Sequence, residues 1–326
     1  MPGTSPSYYF DRSGRWSGGG RAFLNNADHA SSRHRVLSGD PDGIPIVPRN
    51  FPDASKMKTG NFILAPQNAW PWNPVVGTLP ELKIAFGLRG PSEVALRRAA
   101  AVLRISSAVP VRGHKVPFSP IIHNVLDTGF EDAVSTLKLE TRNEARGCFV
   151  SIGSTFSYKN AERLAKAYKL YRDGGGSAGL FLAGAPSNPK VLAKVKSILG
   201  GLDKVTIVGS AIERRRALDA MRQAHAVVLP SLVEASPLTA LEAAWANPNV
   251  IMSDIAAHRE IFGHDARVPN SSYFPANSIG FMAQRLWTAA ERNLDTAHSF
   301  LNDFEYRENA RIEWGDSIAE WLHSLH

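Results

Sequence analysis

The chain has 326 residues, 44% of them hydrophobic and 21% charged, a composition that fits a folded globular protein and excludes disordered or collagen-like chains. Lys+Arg number 37 against Asp+Glu 30, a net charge of +7, but only Arg214-Arg215-Arg216 forms a basic run, read as a solvated helix face, so no nucleic-acid partner is expected. No stretch approaches the ~18 consecutive apolar residues of a membrane span, the polar start Met1–Ser7 has no apolar leader, and the lone Cys148 cannot close an internal disulfide; a cytoplasmic location is expected.

The first half opens on a short apolar strand, Tyr8-Tyr9-Phe10, and a glycine loop ending in Gly18, Gly19 and Gly20, followed by a helical run from Arg21 to Ala30. Apolar bursts recur at Val36-Leu37, Ile44–Val47 and Phe62–Leu64, then Gln67-Asn68-Ala69-Trp70-Pro71-Trp72 and a stretch from Leu82 to Phe86. Proline is favoured in a first helical turn, so Pro91 predicts the start of a helix running to Leu103. Strands follow near Ile105-Ser106-Ser107 and Ile121-Ile122, and the alternation implies a parallel sheet covered on both faces.

From Leu126 to Arg146 the chain turns polar and reads as a connection. The second half is more regular. Strands are predicted at Cys148–Ile152, Leu180–Ala183, Val205–Val208, Ala226–Leu229 and Val250–Met252, with helices near Asn160–Arg172, Leu192–Leu199, Arg214–Ala224 and Pro237–Trp245. Units of about 25 residues are the repeat of an open α/β sheet. Two helical stretches close the chain. The division is 1–130 as an acceptor-binding half, 131–146 as a linker, 147–295 as a nucleotide-sugar-binding half, and 296–326 as helices crossing back to the first half.

The segment Pro230–Glu242 carries the chemistry. It leaves a buried strand at the carboxyl edge, where open α/β sheets bind ligands. Ser236-Pro237 predicts a helix start with Ser236 as N-cap, leaving the amides of Leu238 and Thr239 to face an anion such as a diphosphate. Glu234 and Glu242 bracket this point, and carboxylates suit paired sugar hydroxyls.

Two glutamates separated by seven residues after a strand-Pro-Ser loop resemble the donor-site signature of retaining GT-B glycosyltransferases of family 4. The resemblance is strongest over Arg146–Ala290 and weaker but collinear over the first half. It implies a GT-B fold, with two Rossmann-like parallel-sheet domains facing across a cleft. It also implies roles: Glu242 for the ribose, Glu234 for the donor sugar, Leu238 and Thr239 amides for the phosphates, and Lys159 for the leaving diphosphate. Gly18, Gly19 and Gly20 would let backbone approach the phosphates, and Gly209 and Ser210 would pack near the base. Two departures stand out. Ser154 occupies the place of an arginine five residues before the lysine, with Arg15, Arg21 and Arg89 as candidates to compensate. Ala235-Ser236-Pro237 replaces a Gly-Phe-Gly.

The expected reaction is sugar transfer from a UDP- or GDP-sugar to a saccharide or lipid-linked acceptor. The resemblance implies retention and bacterial surface polysaccharide or glycoconjugate assembly. No metal or other cofactor is expected, because Asp40-Pro41-Asp42 sits in a turn-like Gly-Asp-Pro-Asp-Gly setting. Gln67, Asn68 and Trp70 are candidates for the acceptor site, and basic and aromatic residues of the first half could dock it on an anionic membrane. The alternatives are a GT-B sugar-nucleotide epimerase and a non-catalytic nucleotide-sugar-binding protein.

Overall fold

The computed structural model of the chain describes residues 7–13, 19–37, 40–50, 52–73, 79–109, 115–137, 144–262, 272–292 and 304–325. In chain order the first half contains β1 (Tyr8–Phe10), α1 (Gly19–Arg33), β2 (Ile44–Val47), α2 (Ala54–Thr59), β3 (Ile63–Leu64), α3 (Leu79–Arg98), β4 (Ala101–Arg104) and β5 (Phe118–Ile121). All its strand pairs are parallel, and the sheet runs β1-β2-β3-β4-β5 without reversal. Alternating strand residues feed two cores. Tyr8, Phe10, Ile46 and Ile63 pack under α1, while Val47, Leu64 and Val102 pack against Leu96 of α3 and Ala99 just after it.

α3 corrects the expectation of a helix opening at Pro91, because it begins twelve residues earlier and Pro91 lies inside it. Gly87, Gly90 and Pro91 weaken the local helical signal. Burial of Ala85, Ala95 and Leu96 prevails, and Ser92 Oγ donates to the Leu88 carbonyl at 2.7 Å. The expected strand at Ile105-Ser106-Ser107 lies one step upstream, as β4.

The polar stretch expected as a connection holds α4 (Thr128–Ser135). Phe130 is fully buried in the core of the second half, edge-on to Trp245, so this helix is a packed element. The second half continues with β6 (Cys148–Ile152), α5 (Ala161–Asp173), β7 (Gly179–Ala183), α6 (Pro189–Leu199), β8 (Val205–Val208), α7 (Arg214–Gln223), β9 (Ala226–Leu229), α8 (Leu238–Ala246), β10 (Val250–Ser253), α9 (Ala256–Phe262), β11 (Tyr273–Phe274) and α10 (Ile279–Glu291). Its six parallel strands run β11-β10-β9-β6-β7-β8. The order reverses between β6 and β9, and the ends of those two strands therefore flank a topological switch point, the favoured ligand crevice of such sheets.

α11 (Phe304–His323) returns to the first half, where Trp314, Ile318, Trp321 and Leu322 join the core beneath α1. Its anchor is electrostatic. Glu131 of α4 accepts a two-pronged pair from Arg307 at 2.8 and 2.7 Å and a further bond from Arg311 at 2.8 Å. Both arginines are buried. No helix among the described residues is long and apolar enough to cross a membrane.

Candidate active site

A cleft of about 710 Å³, open to solvent, lies over the carboxyl ends of β6, β7, β8 and β9. Its floor depends on the close approach of β6 and β7. A Cβ on Gly184 would fall 1.7 Å from the Gly153 carbonyl oxygen, so the crossing admits only glycine. Ser154, Lys159, Glu234, Pro237 and Thr239 all line this cleft, so residues separated by up to 85 positions meet where the switch point lies.

Lys159 and Glu234 form the charged centre. Lys159 ends the 3-10 turn Ser157–Lys159, and its Nζ donates to Glu234 Oε1 at 2.6 Å. Burial works against both charges, yet each partner outweighs it. Lys159 therefore titrates above an ordinary lysine, and Glu234 below an ordinary glutamate. His258 of α9, unnoticed in the sequence, also lines the cleft. Burial pushes its imidazole down, so it is neutral, with Nδ1 2.8 Å from the Ser253 carbonyl. Its position just after a strand end was the available signal.

The helix end differs from expectation in one respect. Pro237, not Ser236, is the N-cap of α8, and no side chain caps it. Ser236 Oγ is occupied from the other half, accepting the Asn124 amide at 2.9 Å. The uncapped first turn of α8 points its amides out of the helix at the cleft, where Thr239 lines the wall.

Glu242 does not line the cleft. Its Oε1 takes the Nε and the NH2 of Arg214, each at 2.7 Å, and Arg214 NH1 also reaches Asp127 Oδ1 at 2.6 Å. Burial raises Glu242 more than Arg214 lowers it, and Asp127 adds to the rise. Arg214 thus leaves the solvated-face reading of its basic run, while Arg215 and Arg216 are exposed. Two acids that share one arginine across chain segments are not visible in linear spacing.

Gly18 and Arg15 lie outside the described residues. Gly19 and Gly20 open α1 and so belong to a helix start rather than a loop. Gly209 and Ser210 are exposed beyond β8. Arg21 and Arg89 are also exposed and line no part of the cleft; among the described lining residues Lys159 is the sole lysine or arginine. Asp40 Oδ1 accepts the Asp42 amide at 3.0 Å, the side-chain bond of a turn.

On the acceptor side, Trp70 is only 4% exposed, its ring lying 5.6 Å from Phe156 and 5.2 Å from Tyr158. It joins the two halves and is not open to stack on a sugar, which corrects its expected role. Asn68 Oδ1 accepts the Trp70 amide at 2.9 Å, and Gln67 Oε1 accepts from Asn124 Nδ2 at 3.1 Å. Both polar side chains are thus engaged within the first half.

Residues 138–293, which include the whole second sheet, match the family model of glycosyl transferases group 1. A comparison with the curated proteins finds no match. Solved structures similar to the chain include a UDP-forming α,α-trehalose-phosphate synthase from Burkholderia xenovorans, with a TM-score of 0.62 at 14% identity over 93% of this chain and 78% of that one. A second, from Burkholderia vietnamiensis, gives 0.61 at 15% identity over 93% and 79%. The B. xenovorans enzyme in complex with glucose-6-phosphate gives 0.61 at 12% identity over 92% and 79%. At this identity the likeness is one of fold. The two parallel sheets, the cleft and the returning α11 are the GT-B fold.

Proposed function

We propose that the chain is a glycosyltransferase that moves a sugar from a UDP- or GDP-sugar to a saccharide or lipid-linked acceptor, with retention and without metal, in surface polysaccharide or glycoconjugate assembly. The observation that carries this reading is the meeting of Lys159, Glu234 and the uncapped α8 terminus in one cleft at the switch point. The family match of residues 138–293 supports it. Breaking an anomeric bond leaves charge on the nucleoside diphosphate, and fixed donors that hold that charge more tightly in the transition state lower the barrier. In this reading the α8 amides and Lys159 hold the diphosphate and Glu234 the donor sugar, while Glu242, fixed by Arg214 outside the cleft lining, is the proposed contact of a ribose that extends beyond it. Gly19 and Gly20, at the start of α1, are the proposed backbone approach to the phosphates from the first half. The leaving phosphate takes the acceptor's proton.

A thermal-shift panel of UDP- and GDP-sugars, run with and without magnesium, tests the donor site. Stabilisation by one nucleotide class, unchanged by magnesium, is the expected result. No shift with any member defeats the reading. A competing reading, nucleotide-sugar binding without turnover, is supported by Lys159 being the one lysine or arginine among the described lining residues. Stabilisation without release of UDP or GDP in the presence of saccharides selects it.

Membrane association has a candidate surface on α3. Leu79, Phe86 and Val94 are 67%, 57% and 42% exposed, and they fall on one helical face with Lys83 and Arg97. Apolar side chains that enter the interface beside basic residues suit an anionic bilayer. The chain is expected to float with phosphatidylserine vesicles and not with phosphatidylcholine ones, and Phe86→Asp is expected to abolish flotation. Equal behaviour on both lipids removes the idea.

A further inference from the structure

We infer that Glu81, a residue of the first half, is a positioning residue for Lys159 across the junction of the halves. The inference rests on the proposed donor reading for its consequence in turnover, though its geometry stands alone. Glu81 lies in the first turn of α3 and is 3% exposed. Its Oε1 accepts the Ser157 amide at 2.6 Å, and its Oε2 accepts Ser157 Oγ. Ser157 opens the single 3-10 turn that ends at Lys159. A carboxylate buried against another segment is costly unless donors meet it, and a charge-assisted bond to a backbone amide is among the stronger ones available.

The turn is gripped from both sides. On the second half, Asn160 Nδ2 donates to the carbonyls of Pro230 and Ala276, both at 2.9 Å, and the Leu232 amide donates to the Tyr158 carbonyl at 2.7 Å. On the first half, Glu81 holds Ser157 while Trp70 lies against Tyr158. The Lys159 ammonium in turn sits 5.4 Å from the Tyr158 ring centre. The Glu81 and Trp70 contacts with this turn therefore come from the opposite half. They exist only while the halves are together, so the hold on the turn that ends at Lys159 is complete only in that arrangement. Meeting of the halves and final placement of the leaving-group cation are thereby linked.

The test compares wild type, Glu81→Ala, Glu81→Gln, Lys159→Ala and the Glu81→Ala/Lys159→Ala double variant. The first readout needs no substrate: the rate at which an amine-acetylating reagent labels Lys159, scored by mass spectrometry against Lys190 and Lys194. We expect Glu81→Ala to raise Lys159 labelling several-fold at an unchanged reference rate. Glu81→Gln, which keeps an acceptor for the Ser157 amide, should fall between. Labelling at the wild-type rate in Glu81→Ala overturns the inference. The second readout is release of UDP from UDP-glucose or GDP from GDP-mannose. Glu81→Ala should lower kcat roughly tenfold with little change in the Kd for UDP or GDP, and the double variant should be no slower than Lys159→Ala alone. Losses that multiply in the double variant overturn it too. Wild-type turnover in Lys159→Ala, with labelling still raised by Glu81→Ala, instead removes the donor reading and leaves the positioning intact.

Discussion

Lys159→Ala is expected to weaken nucleotide-sugar binding or turnover by well over tenfold, a loss of at least about 1.4 kcal/mol. Two effects add. The variant removes the ammonium that would face the leaving diphosphate, and it leaves Glu234, whose side chain is only 14% exposed, without the charge that lowers its pKa. An uncompensated carboxylate in the cleft also repels an anionic donor, so Lys159→Ala should be worse than loss of one contact. The stranded carboxylate should further cost about 1–3 kcal/mol of stability. Lys159→Arg is not expected to restore activity fully, because a planar fork does not replace a compact ammonium at the end of a short turn.

The pH dependence follows from the same pair. Lys159 is raised, so its contribution is complete below the ordinary lysine value and is lost as pH rises through the raised one. Glu234 is depressed, so its contribution is complete above the ordinary glutamate value and is lost as pH falls through the depressed one. Burial holds His258 below the ordinary histidine value, so it favours the neutral ring above about pH 7. Nucleotide-sugar affinity should therefore be flat over roughly pH 7–9. Titration calorimetry with UDP- and GDP-sugars, whose doubly esterified diphosphate does not titrate near neutrality, measures both points; wild-type affinity and turnover in Lys159→Ala, or a break in affinity near neutrality, would show that the charged centre has been misplaced.

The largest expected loss of stability is at Glu131. Its carboxylate meets two buried guanidiniums, those of Arg307 and Arg311. Glu131→Ala leaves Arg307 without this pair. Arg311 keeps Glu308, with Nε at 3.1 Å and NH2 at 2.6 Å, and a bond to the Leu126 carbonyl at 3.2 Å. Removing one partner of a buried ion pair costs about 3–5 kcal/mol, because the remaining charge stays out of water. The damage should centre on α11, whose Trp314, Ile318, Trp321 and Leu322 complete the core of the first half. Burial pushes Glu131 up, but the two arginines pull it below an ordinary glutamate. Its contribution is therefore held above that ordinary value and shed as pH falls through the depressed one. Urea unfolding followed by tryptophan fluorescence reads the effect; a change under about 1 kcal/mol would mean that α11 is held by its apolar face alone.

Sequence alone determined the second half almost element by element. Its strands are short, mainly apolar runs such as Ala226–Leu229, several of them closed by glycine or proline, and its helices carry amphipathic spacing, so local pattern and final burial agree. The segment Pro230–Glu242 was legible for the same reason: a strand end, a helix start and two acids lie within thirteen residues. Tertiary structure decided what depends on partners distant in the chain. Burial of Ala85, Ala95 and Leu96 overrode the helix-breaking signal at Pro91, and Phe130 turned a polar connection into a packed helix. Ser236 gave its hydroxyl to Asn124 rather than to its own helix, Glu242 was drawn to Arg214 and Asp127, and Trp70 was buried against Phe156 and Tyr158. Each is a choice between a local bond and a bond to the other half or a distant helix. Periodicity encodes only the local option, whereas the energy of burying a charge or ring depends on which distant group arrives to meet it.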